Sequence, residues 1–206
     1  MPATSFKLHL VRHGEVHNPQ GILYGRLPGF RLSARGREQA DSVGRYLNGR
    51  VVRALFTSPL LRARQTAAMI QRHNPHLKIE VSKLLNEVRG AYEGRPESEV
   101  AAQDGDIYTE AAAGCEQPED IVARAREFLR RLQARYAGGE VAAVTHGDVV
   151  TFMVLWAKGV AVIPKSKTRL LEAGFAVVYP AHASITTLTC ATHDPDARPR
   201  VDYRGL

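Results

Sequence analysis

Two short polar motifs lie where they could take part in chemistry. The triplet Arg12-His13-Gly14 follows residues 6–10, in which apolar and polar side chains alternate as in a strand. The pair His146-Gly147 follows a second apolar segment, residues 140–145. Ligands of open α/β sheets bind outside the carboxyl ends of the strands. If the two strands are parallel and adjacent, both imidazoles meet at one edge of the sheet.

A predicted helix would bring an arginine to the same edge. Ser58 and Pro59 begin this helix and place Arg62 in its first turn, near a helix N-terminus that favours anions. Arginine side chains match phosphate oxygens in a bidentate fashion. With Arg12 and the two histidines, Arg62 would form a pocket whose expected ligand is a phosphoryl group.

A metal site is the alternative use of these histidines. His9, His13 and His17 are spaced four apart and would share one face of a helix. The alternating pattern of residues 6–10 and the glycine at position 14 indicate a strand that ends there. We therefore predict no metal site and no cofactor.

The bulk composition limits the classes of function. The 206 residues suit one domain, 1–206, and the net charge of +7 comes from scattered rather than clustered basic residues. We predict no nucleic-acid binding, no secretory signal within residues 1–5, and no membrane span. Cys115 and Cys190 form neither a disulfide framework nor a metal pattern, so we expect free thiols in a cytoplasmic protein.

Strands and helices alternate along the chain, which predicts an α/β fold: a doubly wound, mainly parallel sheet with helices on both faces. Residues 14–32 and 88–118 read as loops, the second a lid-like insertion over the site, and residues 193–206 as a polar tail. The expected strands are residues 7–11, 51–56, 78–81, 140–145 and a closing pair at 175–179 and 184–190. The expected helices are residues 34–48, 58–72, 119–136 and 149–158.

An ordered set of motifs makes this sequence similar to the histidine phosphatase superfamily, in the branch that contains cofactor-dependent phosphoglycerate mutases. The motifs extend from the first strand to about residue 150, and their order is far more specific than any one of them. In chain order they are Arg12-His13-Gly14-Glu15, Tyr24-Gly25-Arg26, residues 32–40, residues 57–67, Leu85-Asn86-Glu87, Tyr92-Glu93-Gly94 and Val144-Thr145-His146-Gly147.

The resemblance implies a role for each matching residue. His13 would be the nucleophile that becomes phosphohistidine, and Glu87 the general acid that protonates the leaving oxygen and later activates water. The groups that would bind the phosphoryl oxygens are Arg12, Arg62, His146, the side chain of Asn18 and the backbone N–H of Gly147.

Some neighbouring residues keep two interpretations. Asn18 lies one residue earlier than the family's loop asparagine, so it either binds phosphate or forms a turn. Glu15 and Glu93 are competing acids that we expect at the surface or behind the site. Asp148 would cap the following helix or hold an arginine, and capping is the expected role.

Departures from the family pattern bear on the reaction. The mutases carry Glu-Arg-x-Tyr-Gly at their catalytic glutamate, whereas this chain has Glu87-Val88-Arg89-Gly90-Ala91. We therefore expect a metal-independent phosphomonoesterase acting on a small phosphorylated metabolite. The alternatives are a phosphoglycerate mutase-type transferase and a non-catalytic phosphate-binding regulatory module. Arg26, Arg89 and Arg95 either reach a second anionic group or are simply exposed. The closing strands would permit a homodimer.

Overall fold

The computed structural model describes residues 5–109, 111–165, 169–191, 194 and 197–206. Its strands are β1 (Phe6–Arg12), β2 (Val52–Thr57), β3 (Ile79–Val81), β4 (Glu140–Thr145), β5 (Ile185–Cys190) and β6 (Arg200–Arg204). They form a single six-stranded sheet in the order β3-β2-β4-β1-β5-β6.

The pairing of β1 with β4 positions the two histidines. These strands are parallel neighbours, with Arg12 opposite Thr145, and the backbone N–H of His13 donates to the carbonyl of Thr145. β2 pairs in parallel with β3 and β4, while β5 is antiparallel to β1 and β6. The predicted α/β fold with a mainly parallel sheet is confirmed.

Apolar clusters cover both faces of the sheet. One cluster joins α1 (Ala34–Asn48) and α2 (Leu61–His73) to one face of the sheet. The other joins α4 (Pro118–Arg135) and α5 (Gly147–Lys158) to the opposite face. Ser33 caps the first helix, since its hydroxyl accepts the backbone N–H of Gly36 at 2.9 Å. The helices are α1 (Ala34–Asn48), α2 (Leu61–His73), α3 (Glu97–Ala101), α4 (Pro118–Arg135) and α5 (Gly147–Lys158), with a 3₁₀ turn at Lys83–Leu85.

The closing pair of strands differs from the prediction. Residues 175–179 form no strand, and the strand that pairs with β5 is β6. Tyr179 instead donates its hydroxyl to Asp148, and the next carbonyl, that of Pro180, accepts the Arg12 guanidinium. These side-chain and carbonyl contacts hold the segment across the end of the sheet, where it cannot pair along an edge.

The predicted polar tail therefore contains the edge strand β6. Val201 is its one buried residue, and polar side chains surround that valine in the sequence, which hides the strand pattern. Residues 193, 195 and 196 of the predicted tail lie outside the described residues, as do residues 1–4 and 110. The predicted homodimer would now use β6 as its exposed edge, and it stays a prediction.

Residues 88–118, the predicted lid-like insertion, are anchored in the core. Val100, Ile107 and Tyr108 are buried within the cluster that covers α4 and α5. The segment contains α3 and lines the cavity described below. Cys115 and Cys190 are free, as expected. Among the described residues, no helix has the length and apolar character that a membrane crossing requires.

Candidate active site

A close contact between two glycines turns the chain at the end of β1. A Cβ at Gly14 would overlap the carbonyl oxygen of Gly36, and a Cβ at Gly36 would overlap the backbone of Glu15. The backbone N–H of Gly14 donates to the Thr66 hydroxyl at 3.1 Å. The start of α1 and the end of β1 can therefore approach closely only because both positions lack a side chain.

His13 is buried and oriented by its two ring nitrogens. Its Nδ1 lies 2.8 Å from the carbonyl oxygen of Gly14, so this nitrogen carries the proton and donates. Its Nε2 then accepts from Nε of Arg62 at 3.1 Å. Burial, followed by the charges of Arg62 and Arg12, holds the pKa of His13 well below its usual range. The imidazole is therefore neutral at neutral pH, with an electron pair on Nε2.

Arg62 connects the two histidines. Its Nη2 lies 3.2 Å from Nδ1 of His146 and donates to the carbonyl of Gly25 at 2.8 Å. The guanidinium also lies over the ring of Tyr24, 4.7 Å from its centroid. The side chain is 1% exposed, so its planar fork is held in a single orientation by these contacts.

His146 lies beside His13, with the ring centroids 5.2 Å apart. Its Nε2 is 2.8 Å from the Ser58 hydroxyl, while Nδ1 faces Arg62. Burial, then the charge of Arg62, holds the pKa of His146 well below its usual range. The two histidine–glycine pairs thus lie together at one edge of the sheet, as the strand arrangement predicts.

Arg12 approaches His13 from the other side, against the loop before β5. It donates to the carbonyl of Pro180 and to Nε2 of His182, at 3.1 Å for the histidine, and lies 4.9 Å from the Tyr179 ring centroid. Burial and the charge of Arg12 lower the pKa of His182 to about 4. His182 therefore accepts from Arg12 as a neutral imidazole.

Sequence reasoning missed His182 at this site. The signal for it lies in the topology, because β5 is antiparallel to β1 and its N-terminal end meets the carboxyl end of β1. The backbone N–H of Ala183 donates to the carbonyl of Arg12 at 3.0 Å. The ring of His182 lies 5.8 Å from that of His13.

Glu87 places a carboxylate oxygen next to two of the predicted phosphate-binding side chains. Oε2 is 3.5 Å from Nδ1 of His146 and 3.8 Å from Nη2 of Arg62. Oε1 accepts the backbone N–H of Val88 at 2.9 Å, and the Glu87 carbonyl accepts Nε of Arg26 at 2.7 Å. The side chain is 12% exposed, which leaves it access to the cavity.

Asn18, which the sequence predicts either to bind phosphate or to form a turn, does not line the cavity. Its amide donates to the carbonyl of Ile22 at 3.0 Å and accepts the N–H of the same residue at 3.3 Å. These local bonds close a turn in the loop, which is the alternative that the sequence left open. The phosphate-binding role of Asn18 stays a prediction.

Gly147 is the first residue of α5 and packs against Tyr179. A Cβ at this position would overlap the Tyr179 hydroxyl, so the glycine is required for packing. The neighbouring Asp148 is buried and accepts the hydroxyls of both Tyr108 and Tyr179, each at 2.5 Å. Neither tyrosine was foreseen from the sequence.

The competing acids have other partners. Glu15 accepts the hydroxyl of Ser33 at 2.6 Å and lies behind the sheet edge. Glu93 lines the cavity and accepts the backbone N–H of Arg26 at 2.8 Å. Glu87 is thus the glutamate beside the two histidines.

These groups surround a cavity of about 300 Å³. Arg12, His13 and Glu87 line it, together with residues of the 88–107 segment. The remaining lining residues include Leu23, Tyr24, Glu93, Glu97, Asp148 and Tyr179.

The groups around His13 favour the binding of an anion over that of a metal ion. Donor atoms of His13, Glu87 and His146 lie within 4.8 Å of one another, a spacing that could hold a metal. However, the free electron pairs of both imidazoles point to the guanidinium of Arg62. A cation there would meet a fixed positive charge, whereas a phosphoryl group would be attracted by it.

A family model described as the histidine phosphatase superfamily (branch 1) matches residues 8–191. The uncharacterized protein Rv0525 of Mycobacterium tuberculosis is 40% identical over 161 residues, covering 74% of this chain and 79% of that protein. The fructose-2,6-bisphosphatase TIGAR of Xenopus tropicalis is 39% identical over 138 residues, 62% of this chain and 50% of its own length. The chain therefore spans about half of that relative.

Solved structures show the same fold. Mycobacterial glucosyl-3-phosphoglycerate phosphatase Rv2419c superposes with a TM-score of 0.78 at 24% identity, covering 96% of this chain and 97% of that one. YhfR of Bacillus stearothermophilus has a TM-score of 0.74 at 24% identity, covering 89% and 90%.

Proposed function

Because the chain belongs to the histidine phosphatase superfamily (branch 1), we propose that it hydrolyses phosphate monoesters without a metal, through a phosphohistidine formed on His13. The observation that carries this proposal is the orientation of His13. Its Nδ1–H is bound to the Gly14 carbonyl, and its Nε2 electron pair faces Nε of Arg62. A nucleophilic nitrogen therefore lies beside a cation that can hold the group it attacks.

The reaction has two displacements at phosphorus. In the first, Nε2 of His13 forms a bond to phosphorus, the bond to the ester oxygen breaks, and the carboxylic acid of Glu87 gives that oxygen its proton. In the second, the Glu87 carboxylate takes a proton from water as the water oxygen attacks phosphorus. The nitrogen–phosphorus bond breaks, which releases inorganic phosphate and restores neutral His13.

The surrounding cations stabilise the charge that spreads over the phosphoryl oxygens. Arg12 and Arg62 supply two fixed positive charges in a poorly solvated site, where such interactions are strong. A bound phosphate dianion favours protonation of a neighbouring imidazole. His146 can then donate from Nδ1, and the N–H of Gly147 at the start of α5 would add a further donor.

We expect the substrate to be a small phosphorylated metabolite. The cavity of about 300 Å³ is at the lower end of the volumes typical of ligand pockets. The relatives named above include phosphatases of a sugar bisphosphate and of a glucosylated phosphoglycerate, which is consistent with small substrates. The two free cysteines suit the reducing environment of a cytoplasmic protein.

The test is hydrolysis of p-nitrophenyl phosphate with EDTA present, for the wild type and His13→Ala. We expect turnover that EDTA does not reduce, and a loss of at least about a thousandfold in the variant. His17→Ala, at an exposed position, is the matched control and should keep wild-type activity. Absence of turnover in the wild type, or full activity in His13→Ala, would contradict the proposal.

A further inference from the structure

The charges around the cavity indicate which kind of alcohol carries the phosphate in the substrate. We propose that the site accepts phosphate monoesters whose alcohol portion is uncharged or positively charged and presents apolar surface, and that it discriminates against a second anionic group. This rests on the proposed function, because it concerns the leaving group at the same site.

The positive charge at the site is sufficient for one phosphoryl group only. Among the described residues that line the cavity, Arg12 is the only arginine or lysine. Arg62 lies behind His13 and contributes the second guanidinium. Two guanidiniums balance one phosphate dianion, so little positive charge remains for a carboxylate or a second phosphate.

The three arginines that the sequence offered for a second anion are directed elsewhere. Arg26 donates to the Glu87 carbonyl and forms an ion pair with Glu116 at 2.6 Å. Arg95 lies over the ring of Tyr92 and within 3.7 Å of Glu99. Arg89 is exposed, and none of the three lines the cavity.

Besides Glu87 and Asp148, two further carboxylates line the cavity and contribute negative charge to it. Glu93 accepts the backbone N–H of Arg26, and Glu97 accepts the side-chain amide of Asn18 at 3.3 Å. Both donors are uncharged, and the charge of Glu93 also offsets part of the positive charge of Arg62. A second anion on the substrate would therefore be repelled, while an ammonium group would be attracted.

Apolar side chains form another part of the cavity wall. Leu23, Val88, Val100 and Ile107 all line the cavity, and the last three are buried. Such a wall gains free energy by covering apolar parts of a ligand and gives no hydrogen bonds to a highly hydrated one. The leaving alcohol should accordingly have carbon surface on the side that faces the 88–107 segment.

Three phosphate esters of primary alcohols separate the charge classes. They are glycerol 3-phosphate, phosphoethanolamine and 3-phosphoglycerate, with neutral, cationic and anionic alcohol portions. Their dissociation constants would be measured by calorimetry on the 206-residue chain carrying Glu87→Gln, which lacks the proton donor but retains the groups around the phosphoryl group. We expect the first two esters to bind at least about tenfold more tightly than 3-phosphoglycerate.

Substitution of Glu93 and Glu97 tests the cause of this preference. In the Glu87→Gln protein, Glu93→Gln together with Glu97→Gln should lower the ratio of the 3-phosphoglycerate dissociation constant to those of the other two esters by about threefold or more. Glu99→Gln is the matched control, because Glu99 lies on α3 beside Glu97 but does not line the cavity. This variant should show the same preference among the three esters as Glu87→Gln alone.

Equal or tighter binding of 3-phosphoglycerate would overturn the inference, as would a preference unchanged by the double substitution. This result is independent of turnover. Absence of p-nitrophenyl phosphate hydrolysis in the wild type would contradict the proposed reaction, while the binding order would still decide the charge preference of the cavity.

Discussion

The guanidinium of Arg62 contacts both histidines, and a lysine could not reproduce these contacts. Nε faces His13 and Nη2 faces His146 and the Gly25 carbonyl, so three acceptors are satisfied by one planar group. We expect Arg62→Lys to lower kcat/KM for p-nitrophenyl phosphate by about a hundredfold or more. The measurement is steady-state kinetics with EDTA present.

Arg64→Lys is the control for this prediction, since Arg64 is exposed on the same helix. It should have wild-type kinetics. Near-wild-type kcat/KM in Arg62→Lys would mean that a point charge is sufficient and that the fork geometry described here is not used.

The residues that the sequence identified at this site share a local signal. Arg12, His13 and His146 lie at strand ends, and Arg62 lies in the first turn of a helix, so topology alone brings them together. His182, Tyr108 and Tyr179 come from loops, and their contacts depend on how those loops pack. The amide of Asn18 bonds to the backbone of Ile22 and to Glu97, so its role as a phosphate ligand stays a prediction.

At the scale of elements, the contact between β1 and α1 controls the position of His13. Gly14→Ala would force its Cβ into the carbonyl oxygen of Gly36 and separate the two elements. We expect the free energy of unfolding to fall by about 1–3 kcal/mol, as for other overpacked sites, and activity to fall with it. Urea unfolding followed by circular dichroism measures this change.

Gly205→Ala is the matched control, because a Cβ there would meet no atom within 4 Å. Its unfolding curve should overlay that of the wild type. A Gly14→Ala protein of unchanged stability and activity would show that α1 can shift without disturbing the strand end.

The hydroxyl of Tyr108 attaches the 88–118 segment to α5 through the buried Asp148. Tyr108→Phe removes that bond and leaves one carboxylate oxygen without this donor. We expect the free energy of unfolding to fall by about 1–3 kcal/mol, the cost of losing one partner of a buried hydrogen-bonded group. Proteolysis within residues 88–118 should also become faster, and both effects can be measured on the purified protein.

Tyr92→Phe removes a hydroxyl of the same segment whose partner, Gln103, is exposed, so it serves as the control. It should change stability little. If the two variants behave alike, the Asp148 contact does not hold the segment in place.

Most elements follow from sequence patterns, and the exceptions have a physical cause. The apolar strands β1, β2 and β4 and the amphipathic helices α1 and α4 carry strong periodic signals. β6 does not, because an edge strand needs only one buried side chain to dock. Residues 175–179 have strand-forming composition, but the contacts of Tyr179 and Pro180 with Asp148 and Arg12 keep them out of the sheet.

For the whole molecule, buried histidines make stability depend on pH. Burial is the largest cause that lowers the pKa of His9, His13 and His146 in the folded state. The unfolded chain takes up these protons near pH 6.5, and the folded chain does so only at lower pH. Stability is therefore fully present above about pH 6.5 and is lost as the pH falls towards the folded-state values.

We expect the free energy of unfolding to be lower at about pH 5.5 than at about pH 7.5, because the unfolded chain takes up protons on these histidines in this range more readily than the folded chain does. His9→Gln should reduce this difference, since His9 is fully buried in the sheet between Thr187 and Glu140. His17→Gln, at an exposed position, should leave it unchanged. A stability independent of pH across this range would show that the buried imidazoles accept protons as readily as free ones.

The proposed reaction is tested most directly by finding which atom receives the phosphoryl group. The hydrogen bond from Nδ1 to Gly14 leaves Nε2 as the attacking nitrogen of His13. Glu87→Gln mixed with p-nitrophenyl phosphate should accumulate a phosphoprotein, because p-nitrophenolate leaves without a proton whereas water attack lacks its base. Phosphorus NMR and mass spectrometry of the trapped protein should locate the group on Nε2 of His13. Phosphate on Nδ1 or on another residue, or continued turnover with no phosphoprotein, would contradict the account.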